Sequence, residues 1–216
     1  MSNSYFGDLN YVEPEASSTS EIIFKLLDGH MPVGKETALA LYVGILNDTG
    51  GFRHSNVSPY TFFAASKLLT YDIPASEVYN RLFHKRTLSE AKAMSKAIEN
   101  AKTVLDGKVI YSYLTMEQLL ECGANYKQLD GIVEYLKGII GTEAAVFLYE
   151  KSKGDIKLSL RSEKGFDSAE FVKTFNGGGH EKAAGATLNM NMEDALKAVM
   201  DKIIESFEKG DRFWTA

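Results

Sequence analysis

Cysteine and long apolar runs are scarce in this sequence. Its 216 residues include a single cysteine, Cys122, and four prolines. A lone cysteine excludes an internal disulfide framework and suits a reducing compartment. No apolar run approaches the length of about 20 residues that a transmembrane helix needs, and the polar, acidic N-terminus lacks a signal-peptide core. We therefore expect a cytoplasmic protein without a membrane partner.

An excess of positive charge is also lacking. The 24 lysines and arginines are outnumbered by 29 aspartates and glutamates, which gives a net charge of -5. A negative surface does not attract the backbone of long duplex DNA or RNA, so we expect no such partner. A short anionic ligand remains compatible, because metal ions and a few arginines can reverse the field locally.

The most unusual stretch that is present runs from Phe175 to His180 and contains three successive glycines, Gly177, Gly178 and Gly179. Such a run weakens a helix or strand, but it is tolerated where the backbone turns sharply or approaches a ligand closely. The N–H groups of a turn of this kind can form a concave anion cradle, with His180 as a further donor. The alternative is a flexible loop with a surface histidine.

A second candidate for anion binding lies just upstream. Residues 156–162 alternate like a strand that ends in Arg161 and Ser162. Arginine can hold a phosphate through two parallel hydrogen bonds, and serine adds a hydroxyl. This strand end, followed by a predicted helix and the glycines, favours a phosphate site, although its polar residues are also compatible with a strand facing water.

The third candidate follows an apolar helix predicted at 35–47. Asp48 is the second residue of Asn47-Asp48-Thr49-Gly50-Gly51, and Arg53 and His54 follow it. A carboxylate presented at a turn can bind Mg²⁺ or Mn²⁺, and Arg53 is a candidate substrate-binding residue. A turn that merely caps the helix is the alternative.

The periodicity divides the chain into a helical first half and a second half in which strands and helices alternate. We predict a domain boundary near residue 102, at the end of a long helix. The other predicted helices are 22–29, 58–69, 75–83, 116–122, 130–139, 166–175 and 193–207, the long helix is 88–104, and the predicted strands are 108–113, 143–149, 155–160 and 183–188. The second half predicts an α/β fold with a mixed sheet.

These segments resemble the DHH phosphoesterases over essentially the whole chain. Residues 158–162, 175–180 and 183–185 resemble the DHH-associated C-terminal domain, in the group of short oligoribonucleases and 3′-phosphoadenosine-5′-phosphate phosphatases. Residues 44–52 resemble the fourth motif of the catalytic domain, and residues 2–12 and 16–21 resemble the segment that follows its third motif.

The resemblance implies an α/β fold in two parts. Residues 1–102 would be the helical remainder of a parallel-sheet catalytic domain, and residues 103–216 a smaller DHH-associated domain. It implies that Asp48 is a catalytic ligand of a two-metal centre holding Mn²⁺ or Mg²⁺. It also implies that the substrate's phosphate and sugar bind the residues Arg161, Ser162, Gly177, Gly178, Gly179 and His180. A homodimeric state stays open.

The sequence departs from the family pattern in its metal ligands. It contains neither an Asp-His-His nor a His-x-x-x-Asp-x-Asp segment, so Asp48 alone remains of the expected ligands. One carboxylate cannot organise two metals about 4 Å apart. We therefore expect little activity from this chain, and truncation is a simpler explanation than a true short form.

The function implied by the resemblance is hydrolysis of short oligoribonucleotides, of 3′-phosphoadenosine-5′-phosphate, or of both. The substrate would be a short oligonucleotide or a nucleoside phosphate. Two alternatives stay open: a cyclic-dinucleotide phosphodiesterase of the same superfamily, and a nucleotide-binding module that cuts nothing.

Overall fold

The computed structural model describes residues 7–163, 165–210 and 213. The chain divides into two compact units, Met1–Lys85 and Arg86–Ala216. The sequence placed the boundary at residue 102, after the predicted long helix, whereas this division precedes that helix. The reason is that Ala93 and Ala97 of the helix are fully buried in the core of the second unit. In the described part of the chain, no helix is long and apolar enough to cross a membrane.

The described part of the first unit is helical. It contains α1 (Thr19–Leu27), α2 (Lys35–Asp48), α3 (Pro59–Leu69), α4 (Ala75–Tyr79) and a π-helical turn (Asn80–His84). Side-chain caps fix where two of these helices begin, since Ser18 accepts a hydrogen bond from the Glu21 N–H at 3.0 Å and Ser58 forms a capping box with Thr61. Their apolar faces meet in one core that includes Phe24, Leu41, Ile45, Leu46 and Leu68.

The second unit is built on a six-stranded sheet of order β1-β2-β3-β4-β6-β5. Its strands are β1 (Lys102–Val104), β2 (Val109–Leu114), β3 (Ala144–Ser152), β4 (Asp155–Ser162), β5 (Gly178–His180) and β6 (Ala183–Leu188). The β2–β3 pair is parallel and all other pairs are antiparallel. The predicted α/β fold with a mixed sheet is therefore confirmed.

Helices cover both sides of the central strands. They are α5 (Leu88–Glu99), α6 (Met116–Glu121), α7 (Ile132–Lys137), α8 (Ser168–Lys173) and α9 (Met192–Lys209), with a 3-10 turn at Tyr126–Gln128. One core forms between the sheet and α8 and α9, and a second forms between the sheet and α5, α6 and α7. Because β3 is covered on both faces, its residues 144–148 are all buried and read as a continuous apolar run.

The long helix predicted at 88–104 is wrong in its last turn. The helix ends at Glu99, and residues 102–104 form β1, which pairs with β2. The Asn100 side chain donates a hydrogen bond to the Tyr113 carbonyl at 2.8 Å. This bond ties the end of the helix to β2, so that the next residues extend along the sheet.

Strict alternation along β4 creates the surface that matters for function. Ile156, Leu158 and Leu160 are buried in one core, so the residues between them lie on the opposite face. The pairing register extends this second face across β6 and β5. Its members are half-buried or exposed, and we call it the open face: Lys157, Ser159 and Arg161 of β4, Ala183, Gly185 and Thr187 of β6, and Gly178 and His180 of β5.

Candidate functional site

The open face is organised in rows that run across the strands. Arg161 pairs with Ala183, which pairs with His180, and these three form the first row. The second row is Ser159, Gly185 and Gly178, and the third is Lys157 and Thr187. Tyr149 of β3 pairs with Lys157 and extends the third row beyond the open face. Rows two residues apart along a strand are separated by about 7 Å.

Arg161 is held in place by an ion pair. Its Nε donates to Oε1 of Glu134 on α7 at 2.5 Å, and its Nη1 donates to the Leu160 carbonyl at 3.0 Å. About a third of the side chain, 31%, is exposed. Glu134 therefore orients the guanidinium and offsets part of its charge, while Nη2 makes no hydrogen bond to another described residue.

His180 lies in the same row as Arg161, with the small Ala183 between them. Two strand spacings place their Cα atoms about 10 Å apart. Since paired residues in an antiparallel sheet point to the same face, both side chains can reach an anion seated over Ala183. The structure thus brings together two of the residues that the sequence singled out.

The three glycines do not form the expected turn with an N–H cradle. Gly178 and Gly179 belong to the edge strand β5, and the Gly177 N–H is already bonded to the Val172 carbonyl at 2.8 Å. A Cβ on Gly177 would lie 2.5 Å from the Gly185 carbonyl oxygen, and one on Gly179 would lie 2.5 Å from that of Ala183. The run is tolerated in a strand because backbone packs directly against backbone there.

Gly178 differs from its two neighbours. A Cβ built on it would meet no atom within 4 Å, and its φ lies outside the left-handed region. Neither packing nor backbone conformation therefore requires a glycine at this position. Since Gly178 lines a cavity, its missing side chain keeps that cavity open.

Two adjoining cavities lie along the open face. The larger, of about 460 Å³, is lined by side chains including Tyr149, Lys157, Ser159, Asn176 and Thr187. The smaller, of about 110 Å³, contains Arg161 and Glu134 in its wall. Tyr149 and Ser159 line both cavities, so the two adjoin at these residues.

Ser162 is placed away from this face. It is only 4% exposed, and its hydroxyl lies 2.8 Å from the Ser168 hydroxyl and donates to the Glu181 carbonyl at 3.2 Å. Its position next to Arg161 puts its side chain on the opposite side of the strand. In this arrangement Ser162 joins β4 to α8 and to the turn after β5, and its contact with a phosphate stays a prediction.

Sequence reasoning missed most residues that line the larger cavity, notably Tyr149, Lys157, Ser159 and Thr187. The period of two along residues 156–162 carried the signal for part of this set, because it places Lys157 and Ser159 on the same face as Arg161. Thr187 and Tyr149 join them only through the register of pairing with neighbouring strands.

In the first unit, Asp48 is the last residue of α2 and is exposed. Its carbonyl oxygen accepts a hydrogen bond from Asn56 Nδ2 at 3.3 Å, and the His54 ring nitrogen Nδ1 lies 3.3 Å from the same oxygen. Asp48 lines a cavity of about 480 Å³, whose other lining residues include Asn56 and residues 11–14 and 16–19. Of the segment resembling the region after the third family motif, residues 2–6 lie outside the described residues.

The turn after Asp48 has a rigid centre. Thr49 is fully buried; its hydroxyl donates to the Ile45 carbonyl at 2.7 Å and accepts from the Phe52 N–H at 3.1 Å. Gly50, Gly51 and Phe52 all have positive φ, as the tight turn requires. Arg53 is exposed in this turn and its N–H bonds to the Thr49 carbonyl at 2.9 Å. The sequence prediction of a helix that delivers Asp48 to a tight turn is confirmed in its geometry.

The metal ligands of a two-metal centre are not assembled by the residues that the structure describes. Within residues 7–163, 165–210 and 213, no three His, Cys, Asp or Glu side chains cluster closely enough to hold a metal ion. Asp48 is the one candidate ligand that the sequence singled out, and it lines the cavity of the first unit. The described residues therefore do not fit a complete Mn²⁺ or Mg²⁺ centre.

Comparison with known proteins finds a family model that matches part of the second unit and relatives that span both units. A family model described as DHHA1 domain matches residues 106–208. The chain is 29% identical over 211 residues to the bifunctional oligoribonuclease and PAP phosphatase NrnA of Thermus thermophilus, covering 96% of this chain and 62% of that protein. The protein of the same name from Bacillus subtilis is 29% identical over 208 residues, covering 94% and 65%.

A solved structure gives the same result for the fold. The crystal structure of an exopolyphosphatase-related protein from Bacteroides fragilis matches with a TM-score of 0.87 at 28% identity, covering 95% of this chain and 62% of that one. This chain thus spans less than two thirds of the length of these relatives. The class is an α/β protein with a DHHA1 domain at residues 106–208. Residues 106–208 thus match the DHHA1 family model, and the chain is similar over most of its length to the two NrnA proteins.

Proposed function

We propose that this chain supplies the nucleotide-binding part of a metal-dependent phosphoesterase that acts on short oligoribonucleotides, on 3′-phosphoadenosine-5′-phosphate, or on both. The observation that carries the proposal is the first row of the open face, where Arg161 and His180 flank Ala183 and Arg161 lies in the wall of the smaller cavity. Support also comes from the names of the relatives, which describe oligoribonucleases and PAP phosphatases.

The role of the first row is to fix a phosphate that is not itself cleaved. A guanidinium and an imidazole can both donate hydrogen bonds to phosphate oxygens, and binding of a non-reacting group orients the rest of the substrate. Of the candidate residues, Arg161, His180 and Gly178 carry this role on the open face. Gly177 and Gly179 shape the edge of this face. In the first unit, Asp48 lines a cavity and Arg53 lies in the turn that follows Asp48.

The cofactor of the intact catalytic centre is proposed to be Mn²⁺ or Mg²⁺, with Asp48 as one ligand, because carboxylates suit both ions. Since the described residues assemble no further ligands, we derive no catalytic step for this chain. A cytoplasmic location is proposed from the lone, buried Cys122, which suits a reducing compartment.

The binding proposal is tested by titrating the isotope-labelled chain with adenosine 5′-monophosphate and following amide shifts by NMR. We expect the amides of residues 177–180 to shift, and Arg161→Ala to weaken binding by roughly 10- to 100-fold, since a charge-assisted hydrogen bond contributes about 1.5–3 kcal/mol. Arg81→Ala is the matched control, because Arg81 pairs with Glu77 in the first unit and lines neither cavity of the open face. Unshifted glycine amides, or equal effects of the two variants, would refute the site.

The lack of a ligand cluster among the residues that the structure describes favours a second candidate, a binding module that hydrolyses nothing. Incubation of the chain with Mn²⁺ and a dinucleotide, a cyclic dinucleotide or 3′-phosphoadenosine-5′-phosphate should release no product. Competition of the same three compounds against adenosine monophosphate then ranks them as ligands and tests the cyclic-dinucleotide alternative. Robust Mn²⁺-dependent turnover would show that the chain completes a metal centre after all.

A further inference from the structure

Residues 8–15 lie in the wall of the cavity that Asp48 lines, and we call this segment the strap. It contains no helix or strand, and all of its residues are exposed except Glu13, which is half-buried. Four successive residues of the strap line the cavity of about 480 Å³, namely Tyr11, Val12, Glu13 and Pro14. The strap therefore encloses part of the cavity although little of the strap itself is buried.

The chain becomes firmly held directly after the strap. Ser17, Ser18 and Glu21 are all buried, and the Ser17 hydroxyl donates to the Glu21 carboxylate. The Ser17 carbonyl accepts a hydrogen bond from Asn56 Nδ2 at 2.8 Å, and the same nitrogen donates to the Asp48 carbonyl at 3.3 Å. This side of the cavity is thus fastened to the turn that carries Asp48, so a change in access to the cavity has to come from the strap.

An ion pair connects the strap to the helices of the first unit. Lys25 Nζ on α1 donates to Glu13 Oε1 at 2.7 Å, and the Tyr11 hydroxyl donates to the same oxygen. The Lys25 ammonium also lies 5.9 Å from the centre of the Tyr60 ring on α3. The hydrogen bond from Lys25, together with that from Tyr11, holds the pKa of the Glu13 carboxyl below its usual value. Glu13 is therefore charged at neutral pH, and Lys25 joins the strap to α1 and α3.

These contacts hold the closed strap only weakly. The side chains of Lys25 and Glu13 are 47% and 26% exposed, and ion pairs that water reaches are weak because solvent and salt screen them. A segment with few buried side chains and no helix or strand can open locally while the rest of the domain stays folded. The strap therefore has the properties of an element that exchanges between a closed and an open state.

We propose that residues 8–15 open and close the cavity that Asp48 lines, and that the contact of Glu13 with Lys25 is the latch that keeps the strap closed. A ligand of this cavity enters while the strap is open, and closure then limits the access of water. The proposal concerns the first unit alone, so it does not depend on the phosphate site of the open face.

The test places a thiol in the cavity wall of the whole chain. Ile22 lines the cavity and is half-buried, so Ile22→Cys should react with N-ethylmaleimide at a rate set by opening of the strap. In this background, Lys25→Met should speed the reaction about 2- to 5-fold, as expected from the loss of one partly exposed ion pair. Glu13→Gln should act likewise, and both changes together should do no more than either alone, because they break one contact. Peptide mass spectrometry distinguishes the new thiol from the buried Cys122.

Hydrogen exchange gives a second measurement that needs no added thiol. The amides of residues 11–13 should exchange faster in Lys25→Met than in the unchanged chain, and added salt should reduce the difference, because salt screens the ion pair. Urea unfolding of each variant verifies that it is folded.

Two controls separate opening of the strap from general loosening of the first unit. Lys35→Met breaks the exposed ion pair of Lys35 with Asp72, and neither residue lines the cavity, so the reaction of Ile22→Cys should keep its rate. Ile23→Cys places the thiol at the next, exposed position of α1, outside the cavity lining, and Lys25→Met should not change its reaction.

The latch is overturned if Lys25→Met changes neither the reaction of Ile22→Cys nor the exchange of the strap amides. It is also overturned if the reaction of Ile23→Cys accelerates equally, because α1 itself would then be fraying. None of these outcomes bears on phosphate binding at Arg161, so failure of this inference leaves the proposed function to its own test.

Discussion

Gly177, Gly178 and Gly179 are adjacent in sequence but lack a side chain for different reasons. A Cβ on Gly177 or on Gly179 would lie 2.5 Å from a backbone oxygen of β6, and Gly179 also has a φ of 150°. Gly178 has free space around its Cβ position and lines the larger cavity. Two of these positions therefore serve the packing of the edge strand, and one serves the cavity.

Alanine substitutions should separate these two roles. Gly177→Ala should lower the free energy of unfolding by about 1–3 kcal/mol, because the added methyl overlaps backbone and the Ala186 side chain. Gly178→Ala should change it by less than about 0.5 kcal/mol and weaken adenosine monophosphate binding several-fold. Gly34→Ala, another position with open space around the Cβ, should change neither quantity. The assignment is wrong if Gly178→Ala is the more destabilising of the pair.

The ion pair between Arg161 and Glu134 affects how strongly the first row attracts an anion. The carboxylate lies 2.5 Å from Nε and is 57% exposed, so the pair adds little to stability, but its negative charge stands beside the phosphate site. Glu134→Gln keeps an oxygen acceptor and removes the charge.

We therefore expect Glu134→Gln to tighten adenosine monophosphate binding by roughly 2- to 5-fold, an effect that shrinks as salt is added. Glu77→Gln, which neutralises the corresponding partner of Arg81 in the first unit, should leave the affinity unchanged. A loss of affinity in Glu134→Gln would instead show that orienting Arg161 matters more than neutralising it. Calorimetric titration at two salt concentrations measures both quantities.

At the scale of the element, strand β4 presents serines to two different environments. Ser159 lines both cavities of the open face. Ser162 lies three residues further along the strand, so its side chain points to the opposite face. It is buried there against Ser168 and the Glu181 carbonyl. The sequence assigned substrate binding to Ser162, but the alternation of the strand gives the open face to Ser159.

The two serines make a matched pair for mutation. Ser162→Ala should lower the free energy of unfolding by about 1–3 kcal/mol, because buried polar groups lose a partner. Ser159→Ala should leave stability within about 0.5 kcal/mol and weaken adenosine monophosphate binding by roughly 2- to 10-fold, the effect of one neutral hydrogen bond. If Ser162→Ala is stable and loses affinity, the original sequence prediction for Ser162 is restored.

Helix α5 was predicted as a helix from the sequence, but the sequence did not show to which of the two units it belongs. The sequence placed a domain boundary at the end of this helix, yet Ala93 and Ala97 are fully buried beside Ile110 and Leu114 of β2. The buried Ser112 hydroxyl also donates to the Ala97 carbonyl. Small side chains allow the helix to approach the sheet closely, and this close packing makes α5 part of the second unit.

At the scale of the whole molecule, this packing decides which fragment can fold. A fragment of residues 86–216 should unfold cooperatively in urea, because it keeps both cores of the sheet. A fragment of residues 103–216, which begins at the boundary that the sequence suggested, should be less stable and should bind a dye for exposed apolar surface. It loses the cover of Ile110 and Leu114, and it leaves the Ser112 hydroxyl without its acceptor.

Equal unfolding free energies for the two fragments would contradict the assignment of α5 to the second unit. Far-ultraviolet circular dichroism of each fragment is the control, since it shows whether the shorter one retains its strands and helices at all. The same fragments would show whether the open face binds adenosine monophosphate without the first unit.

The sequence by itself determined the elements whose period is strong and the residues whose chemistry is distinctive. Residues 155–162, 183–188 and 192–209 were recognised within a few positions, because alternation and helical periodicity are local properties. Asp48 was placed correctly at the end of α2, and Arg161 and His180 were singled out because few residue types bind phosphate well.

Only the tertiary structure decided which of these residues act together. Short strands such as β1 and β5 carry no period of their own and form because a neighbouring strand offers them hydrogen-bond partners. The alignment of Arg161 with His180, and of Lys157 with Thr187, follows from the register of β4, β6 and β5. Register is a property of pairing between distant segments, which no local pattern in the chain specifies.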